Sequence, residues 1–305
     1  MMDIRLNQAY SFHQLGQREY QEDARYPDLD VPDINQRFFV VCDGVGGCDK
    51  GEVASQTVCE SFKDSMSDID FSEDFANTSF NQVLDAAYNA LDGKVDKSNR
   101  EMATTLTFVC FHGGGCTMAH IGDSRIYQIR PSEGIIYRSN DHSMVNTMVH
   151  NGVLTPEQGL NHPQNNVITR YMGPVESDEN RCMATVMRTI DVAAGDYFFM
   201  CSDGVLHKVS DDELVEILTS KASDEDKMRL IAQKSENSED NNTAYLISVA
   251  EVYDDPTLVE NAEITDEDTH ETKKIKVASQ NLEEIESIQP DSGNSIWNWF
   301  KNLLK

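Results

Sequence analysis

The chain has 305 residues, 39% of them hydrophobic and 8% aromatic, and sets 53 acidic against 25 basic residues for a formal net charge of −28. That balance excludes general nucleic-acid binding and docking on anionic lipid, since both need clustered Lys and Arg. No run approaches the ~18 continuous apolar residues of a membrane span, and residues 1–10 lack the basic flank and apolar stretch of a signal peptide.

In chain order, Arg18 precedes the acidic pair Glu22-Asp23, and the first continuous apolar run, Phe38-Phe39-Val40-Val41-Cys42, ends in Asp43-Gly44 with Gly46 and Gly47 beyond. Such a run is short enough for a strand and too continuous for a sheet with one wet face. It predicts a strand buried on both faces. Helices are expected over about 52–66 and 75–91, the second with Phe80, Val83, Leu84, Ala87 and Leu91 at helical spacing. A second buried strand is expected over 105–111, and a mixed run over 116–121 leads into Gly122-Asp123-Ser124-Arg125. Residues 141–177 are polar, carry Asn151-Gly152, Thr155-Pro156 and Gly173-Pro174, and read as short helices and loops forming a flap.

The run Tyr197-Phe198-Phe199-Met200-Cys201 then repeats the first pattern, passing into Ser202-Asp203-Gly204. Ser210 with Glu213 forms a capping box that opens a third helix. Asp240-Asn241 precedes the last strand, 244–249. Beyond residue 254 acids crowd together with few apolar neighbours. The chain therefore divides into a globular domain, 1–254, and an acidic tail expected to be disordered, 255–305. Near the end of that tail Ile296, Phe300 and Leu303 share one face of a short amphipathic segment that could dock a partner. Of the seven cysteines none forms a Cys-x-x-Cys pair, and Cys42, Cys110 and Cys201 sit inside apolar runs. Buried free thiols in a reducing, cytoplasmic setting are expected.

A single Asp-Gly after a strand is most often a turn. Here, however, acids stand at five separated points, two of them directly after buried strands that fix the carboxylate rigidly. Such an oxygen-donor set suits magnesium or manganese. It does not suit zinc, because no His or Cys stands at ligand spacing.

Arg18-x-x-x-Glu22-Asp23, Asp43-Gly44-Val45-Gly46-Gly47, Gly122-Asp123-Ser124-Arg125, Ser202-Asp203-Gly204 and Asp240-Asn241-x-Thr243 occur in that order. Together they closely resemble the metal-dependent protein phosphatases, the type 2C serine/threonine phosphatases. Residues 162–173 resemble the flap side of the bacterial branch. The resemblance covers about residues 11–252 and makes 1–254 a catalytic domain. It implies an α+β fold, a four-layer αββα sandwich with two central antiparallel sheets and a binuclear metal site at one end.

The resemblance further implies that Asp43 bridges two Mn2+ or Mg2+ ions. Glu22 and the Gly44 carbonyl would complete one ion, Asp203 and Asp240 would hold the other, and Asp123 with Asp203 would form a weaker third site. Arg18 would grip phosphate oxygens, and Asp23 would orient the attacking water. That water, activated by the metals, would attack phosphoserine or phosphothreonine of other proteins in line, with no covalent enzyme intermediate. A cognate serine/threonine kinase would oppose the reaction. A catalytically inactive relative serving as a phosphoprotein-binding scaffold is the alternative, and the complete acid set weighs against it. Val45 stands where many eukaryotic relatives have His, so the leaving-group proton comes from elsewhere. Arg125 is expected to pair with a nearby acid, and His120, His142 and His162 to make structural hydrogen bonds.

Overall fold

The computed structural model describes residues 1–45, 50–95, 102–160, 162–164, 166–175 and 177–253, with the backbone of 262–265 and 272–275. The chain opens with strands β1 (Asp3–Leu6), β2 (Tyr10–Gln14), β3 (Ala24–Tyr26) and β4 (Phe38–Cys42), then helices α1 (Gly51–Ser65) and α2 (Asn77–Asp92). Strands β5 (Leu106–His112), β6 (Gly115–Ile121), β7 (Arg125–Arg130) and β8 (Gly134–Arg138) lead into the short flap helices α3 (Met144–His150) and α4 (Pro156–Leu160). After β9 (Thr185–Thr189) and β10 (Tyr197–Cys201) come α5 (Asp203–Leu206), α6 (Asp211–Thr219) and α7 (Asp224–Ser235), then β11 (Asn242–Tyr253), β12 (Ala262–Thr265) and β13 (Thr272–Ile275).

Every ladder is antiparallel. One sheet runs β1-β11-β10-β7-β8 with β2 also paired to β11, and the other runs β3-β4-β5-β6-β9-β12-β13. Alternation along each strand accounts for the continuous apolar runs. From β4, Phe39 and Val41 join Val109, Met118, Phe198, Met200 and Tyr245 in the core between the sheets. Phe38, Val40 and Cys42 face the other way, onto Phe62, Phe80 and Leu84 of α1 and α2. On the opposite side Phe199, Cys201 and Leu246 meet Leu214, Leu218 and Ile231 of α6 and α7. The result is the expected order of layers: helices, sheet, sheet, helices.

Serine hydroxyls cap the N-termini of α3, α6 and α7. The Ser210 hydroxyl accepts from Glu213 N while the Glu213 carboxylate accepts from Ser210 N, the reciprocal cap anticipated for α6. Flap helix α3 is capped by the Ser143 hydroxyl, which accepts from Asn146 N. Cys42, Cys59, Cys110, Cys116 and Cys201 are buried free thiols. Among the described residues no helix is long and apolar enough to cross a membrane.

In the segment 255–305, expected to lack regular structure, the chain forms β12 and β13, and β12 pairs with Met187 and Arg188 of β9. An open sheet edge offers unpaired N–H and C=O groups to any nearby extended segment, and composition alone does not reveal that edge. The C-terminal segment around Ile296, Phe300 and Leu303 lies outside the described residues.

Candidate active site

Strand pairing carries distant acids to one end of the sandwich. Ala24 of β3 pairs with Cys42 of β4, which sets Glu22 and Asp23 beside Asp43. Cys201 of β10 pairs on one side with Ala244 of β11 and on the other with Arg125 of β7. Asp203, the 240–243 segment and the 122–125 turn therefore emerge together. A recess of about 150 Å3 results, lined by Arg18, Asp43, Gly44, Val45, Thr105, Asp123, Asn166, Ile168, Asp203, His207 and Asp240. Asn166 and Ile168 come from the flap, which Ser143 and Ile168 tie back to itself through a β-bridge.

Of the residues singled out from sequence, Arg18, Asp43, Gly44, Asp123, Asp203 and Asp240 share this recess. Glu22 faces the adjoining pocket, which also includes Arg18. Asp23 lies behind the recess, 5% exposed. Its Oδ2 accepts from the Ser202 hydroxyl at 2.8 Å and the Thr243 hydroxyl at 2.6 Å, while its Oδ1 is buried with no hydrogen-bond partner. The Arg18 guanidinium donates to Asp240 at 2.6 Å.

Sequence reasoning missed the hydroxyl scaffold under Asp43. Thr105 Oγ1 accepts from Asp43 N at 3.0 Å and hydrogen-bonds Ser124 Oγ at 2.8 Å, and Thr104 Oγ1 donates to the Asp43 carbonyl at 2.9 Å. Two hydroxyl residues at the mouth of an otherwise apolar strand were the available signal. His207 was also missed; its Nε2 lies 3.7 Å from Asp203 Oδ2. Arg125 pairs with Asp141 through two 2.7 Å hydrogen bonds, as expected. His120 and His142 stack with ring centroids 4.5 Å apart, and His142 Nδ1 accepts from Gly122 N, consistent with structural roles.

Burial first, and crowding of like charges second, disfavour ionisation of the acids in and around the recess. Burial raises the Asp43 carboxyl well above the usual range, and Asp23, Asp203, Asp123 and Asp240 add like-charge repulsion. Asp123 is pushed up to about 8 by burial, with Asp203 and Asp141 contributing. Asp23 rises to about 7, again by burial, although the Thr243 and Ser202 hydroxyls oppose the shift. Asp203 and Glu22 are raised by burial too, with His207 partly offsetting the effect at Asp203 and Arg18 at Glu22.

These residues fit a hard divalent cation. Asp203 Oδ1 is buried without a hydrogen-bond partner, and all the acidic groups are oxygen donors. Among the described residues no three such side chains already close around one point, so the carboxylates line a recess and do not form a finished cage.

A pH dependence follows for the metal-free protein. Carboxylates with raised folded pKa values bind protons that the unfolded chain has released, so their contribution to stability falls as pH rises through the folded pKa. Above about pH 7.5 His13, His112 and His142, all shifted downward by burial, are neutral in both states and drop out. Between about pH 7.5 and 8.5 the metal-free melting temperature is therefore expected to fall by several degrees. Saturating Mn2+ should flatten that slope, because a cation replaces the protons. Thermal melts across this range with and without metal check both statements.

Residues 21–240 match the family described as protein phosphatase 2C. The chain is 33% identical over 201 residues to the serine/threonine protein phosphatase PstP of Mycobacterium tuberculosis, a match covering 64% of this chain and 37% of that protein. It thus spans little more than a third of the length of that relative. It is 31% identical over 227 residues to the protein phosphatase PhpP of Streptococcus pneumoniae, covering 70% of this chain and 86% of that one. The fold also superposes on a solved structure of the catalytic domain of serine threonine protein phosphatase PstP in complex with two manganese ions. The TM-score is 0.66 and the identity 26%, covering 82% of this chain and all of the other.

Proposed function

Because the chain belongs to the protein phosphatase 2C family, we propose that its acidic recess hydrolyses phosphoserine and phosphothreonine in other proteins with two divalent cations, Mn2+ or Mg2+. The observation that carries this reading is the convergence of Asp43, Asp123, Asp203 and Asp240 on one recess beside Arg18.

Asp43, Glu22, the Gly44 carbonyl, Asp203 and Asp240 would hold the two cations. Asp123 with Asp203 would hold a weaker third. Bound there, the cations would supply Lewis acidity that activates water and neutralises charge on the phosphoryl group. Asp23, held from behind the recess by the Ser202 and Thr243 hydroxyls, would orient the attacking water. Arg18 would exchange its Asp240 partner for phosphate oxygens, a fork geometry suited to that anion. The Thr105 hydroxyl is occupied with Asp43 N and Ser124, which supports direct attack by water without a covalent intermediate. Val45 lines the recess and offers no proton to the leaving group. The buried free thiols support a reducing, cytoplasmic location, and a serine/threonine kinase would supply the substrates.

The test is turnover of p-nitrophenyl phosphate and of a phosphothreonine peptide. Chelation by EDTA should lower both rates more than about 100-fold, and added Mn2+ or Mg2+ should restore them. Turnover indifferent to chelation would overturn the metal assignment. Absence of turnover with either metal would overturn the phosphatase reading itself.

A further inference from the structure

The loop between β2 and β3 is pinned from several directions. Gly16, at φ +59°, packs so tightly that a Cβ there would lie 2.1 Å from the Asp240 carbonyl oxygen. Gln17 donates from its backbone N to the Ser238 carbonyl and from Nε2 to the Asn237 carbonyl, each at 2.9 Å. Asn241 Nδ2 donates to the carbonyls of Leu15 and Tyr20 at 2.9 and 3.0 Å. Within this firmly held loop Tyr20 leaves 76% of its surface exposed, and neighbouring Glu19 is exposed as well.

Tyr20 and Glu19 form, with Gln17, Arg18 and Glu22, the wall of an open pocket of about 350 Å3. Arg18 belongs to this wall and to the wall of the catalytic recess, so the two cavities adjoin at its guanidinium. With the phosphorylated residue in the recess, the next one or two residues of an extended peptide, at ~3.3–3.6 Å each, fall within reach of the pocket.

We propose that this pocket receives the residue flanking the phosphorylated one, and that Tyr20 and Glu19 select substrates carrying Arg or Lys there. The inference rests on the phosphatase reading and names its substrate class. The chemistry of the wall is the reason for the choice. An exposed phenol ring attracts a guanidinium or ammonium group through its face, and Glu19 supplies a carboxylate beside it. A phosphopeptide with acidic flanks would meet repulsion from the Glu19 carboxylate instead. The net charge of −28 works in the same direction at long range.

The experiment compares three phosphothreonine peptides, identical except for Arg, Ala or Glu at the positions next to the phosphothreonine, at physiological ionic strength. p-Nitrophenyl phosphate, which has no flanking residue, serves as reference. Wild type should prefer the Arg peptide over the Glu peptide in kcat/KM by about tenfold, the size that one cation–π contact and one exposed ion pair supply together. Tyr20→Ala should lower that ratio several-fold, and Tyr20→Ala with Glu19→Lys should abolish or invert it. Melting temperatures should stay unchanged, since both side chains are exposed, and kcat/KM for p-nitrophenyl phosphate should change less than about twofold. Equal kcat/KM for the three peptides in wild type overturns the inference. So does a preference that survives intact in the double variant, which would assign it to net charge alone. In both cases p-nitrophenyl phosphate turnover shows that the phosphatase reading stands; its absence overturns that reading and this inference with it.

Discussion

Asp203→Asn is expected to lower kcat/KM for a phosphothreonine peptide by about 10³-fold or more while leaving the metal-free protein as stable as wild type or more so. The loss corresponds to about 4 kcal/mol of transition-state stabilisation, within what a divalent cation supplies to phosphoryl chemistry. The stability half of the expectation comes from crowding. Asp203 adds like-charge repulsion to Asp43, Asp23 and Asp123, so neutralising it relieves a term that acts on all three. Loss of activity through unfolding would lower the melting temperature, whereas loss of a ligand would not. Added Mn2+ stabilises wild type by mass action in proportion to its affinity, and the variant should forfeit most of that gain. Kinetics together with melts at increasing Mn2+ concentration decide the matter. A variant that turns over at near wild-type rate, or that gains as much from Mn2+ as wild type does, would remove Asp203 from the site.

Gly204→Ala should damage the protein without touching a carboxylate. A Cβ at Gly204 would sit 2.0 Å from the Asn241 carbonyl oxygen, a backbone atom that cannot swing aside. The Asn241 side chain donates to Leu15 and Tyr20 and accepts from Glu22 N at 2.8 Å. Any shift of Asn241 therefore moves the loops that carry Asp240, Glu22 and Arg18. We expect a loss of roughly 2–3 kcal/mol from overpacking and a drop of about 5–10 °C in melting temperature. Activity measured well below the melting transition should fall ~10²-fold, because displacement of site groups by about an ångström is that costly. A Gly204→Ala protein that melts and turns over like wild type would show that this close approach is not needed.

Much of the architecture could be read from the chain because its strongest signals are local. The runs at 38–42 and 197–201 became β4 and β10 with the bounds their composition indicated, and Ser210 with Glu213 capped α6. Helix α7 escaped notice because one face alone packs inward, through Met228 and Ile231, while most of its surface is charged. Strand β9 is mostly half-exposed and reads as neither strand nor helix. The twelve-residue β11 serves three partners, β1, β2 and β10, which no window around its own sequence could announce. Strands β12 and β13 exist through pairing with one another and with the β9 edge, against an acidic composition that favours disorder.

For the site, the sequence by itself determined the donor chemistry, acidic side chains at five separated points, and the mounting of two of them, Asp43 and Asp203, each directly after a buried strand and before a glycine. Those properties are encoded within a few residues. Only the tertiary structure decided which groups meet. Arg18 lies against Asp240 across 222 positions of chain, Asp23 takes hydroxyls from Ser202 and Thr243, and Thr105 ties Asp43 to the Asp123 turn through Ser124. The physical reason is that register between strands far apart in the chain is fixed by packing on both faces of two sheets at once. Contacts made across that register, and the carboxylate repulsion they create, are properties of the assembled sandwich.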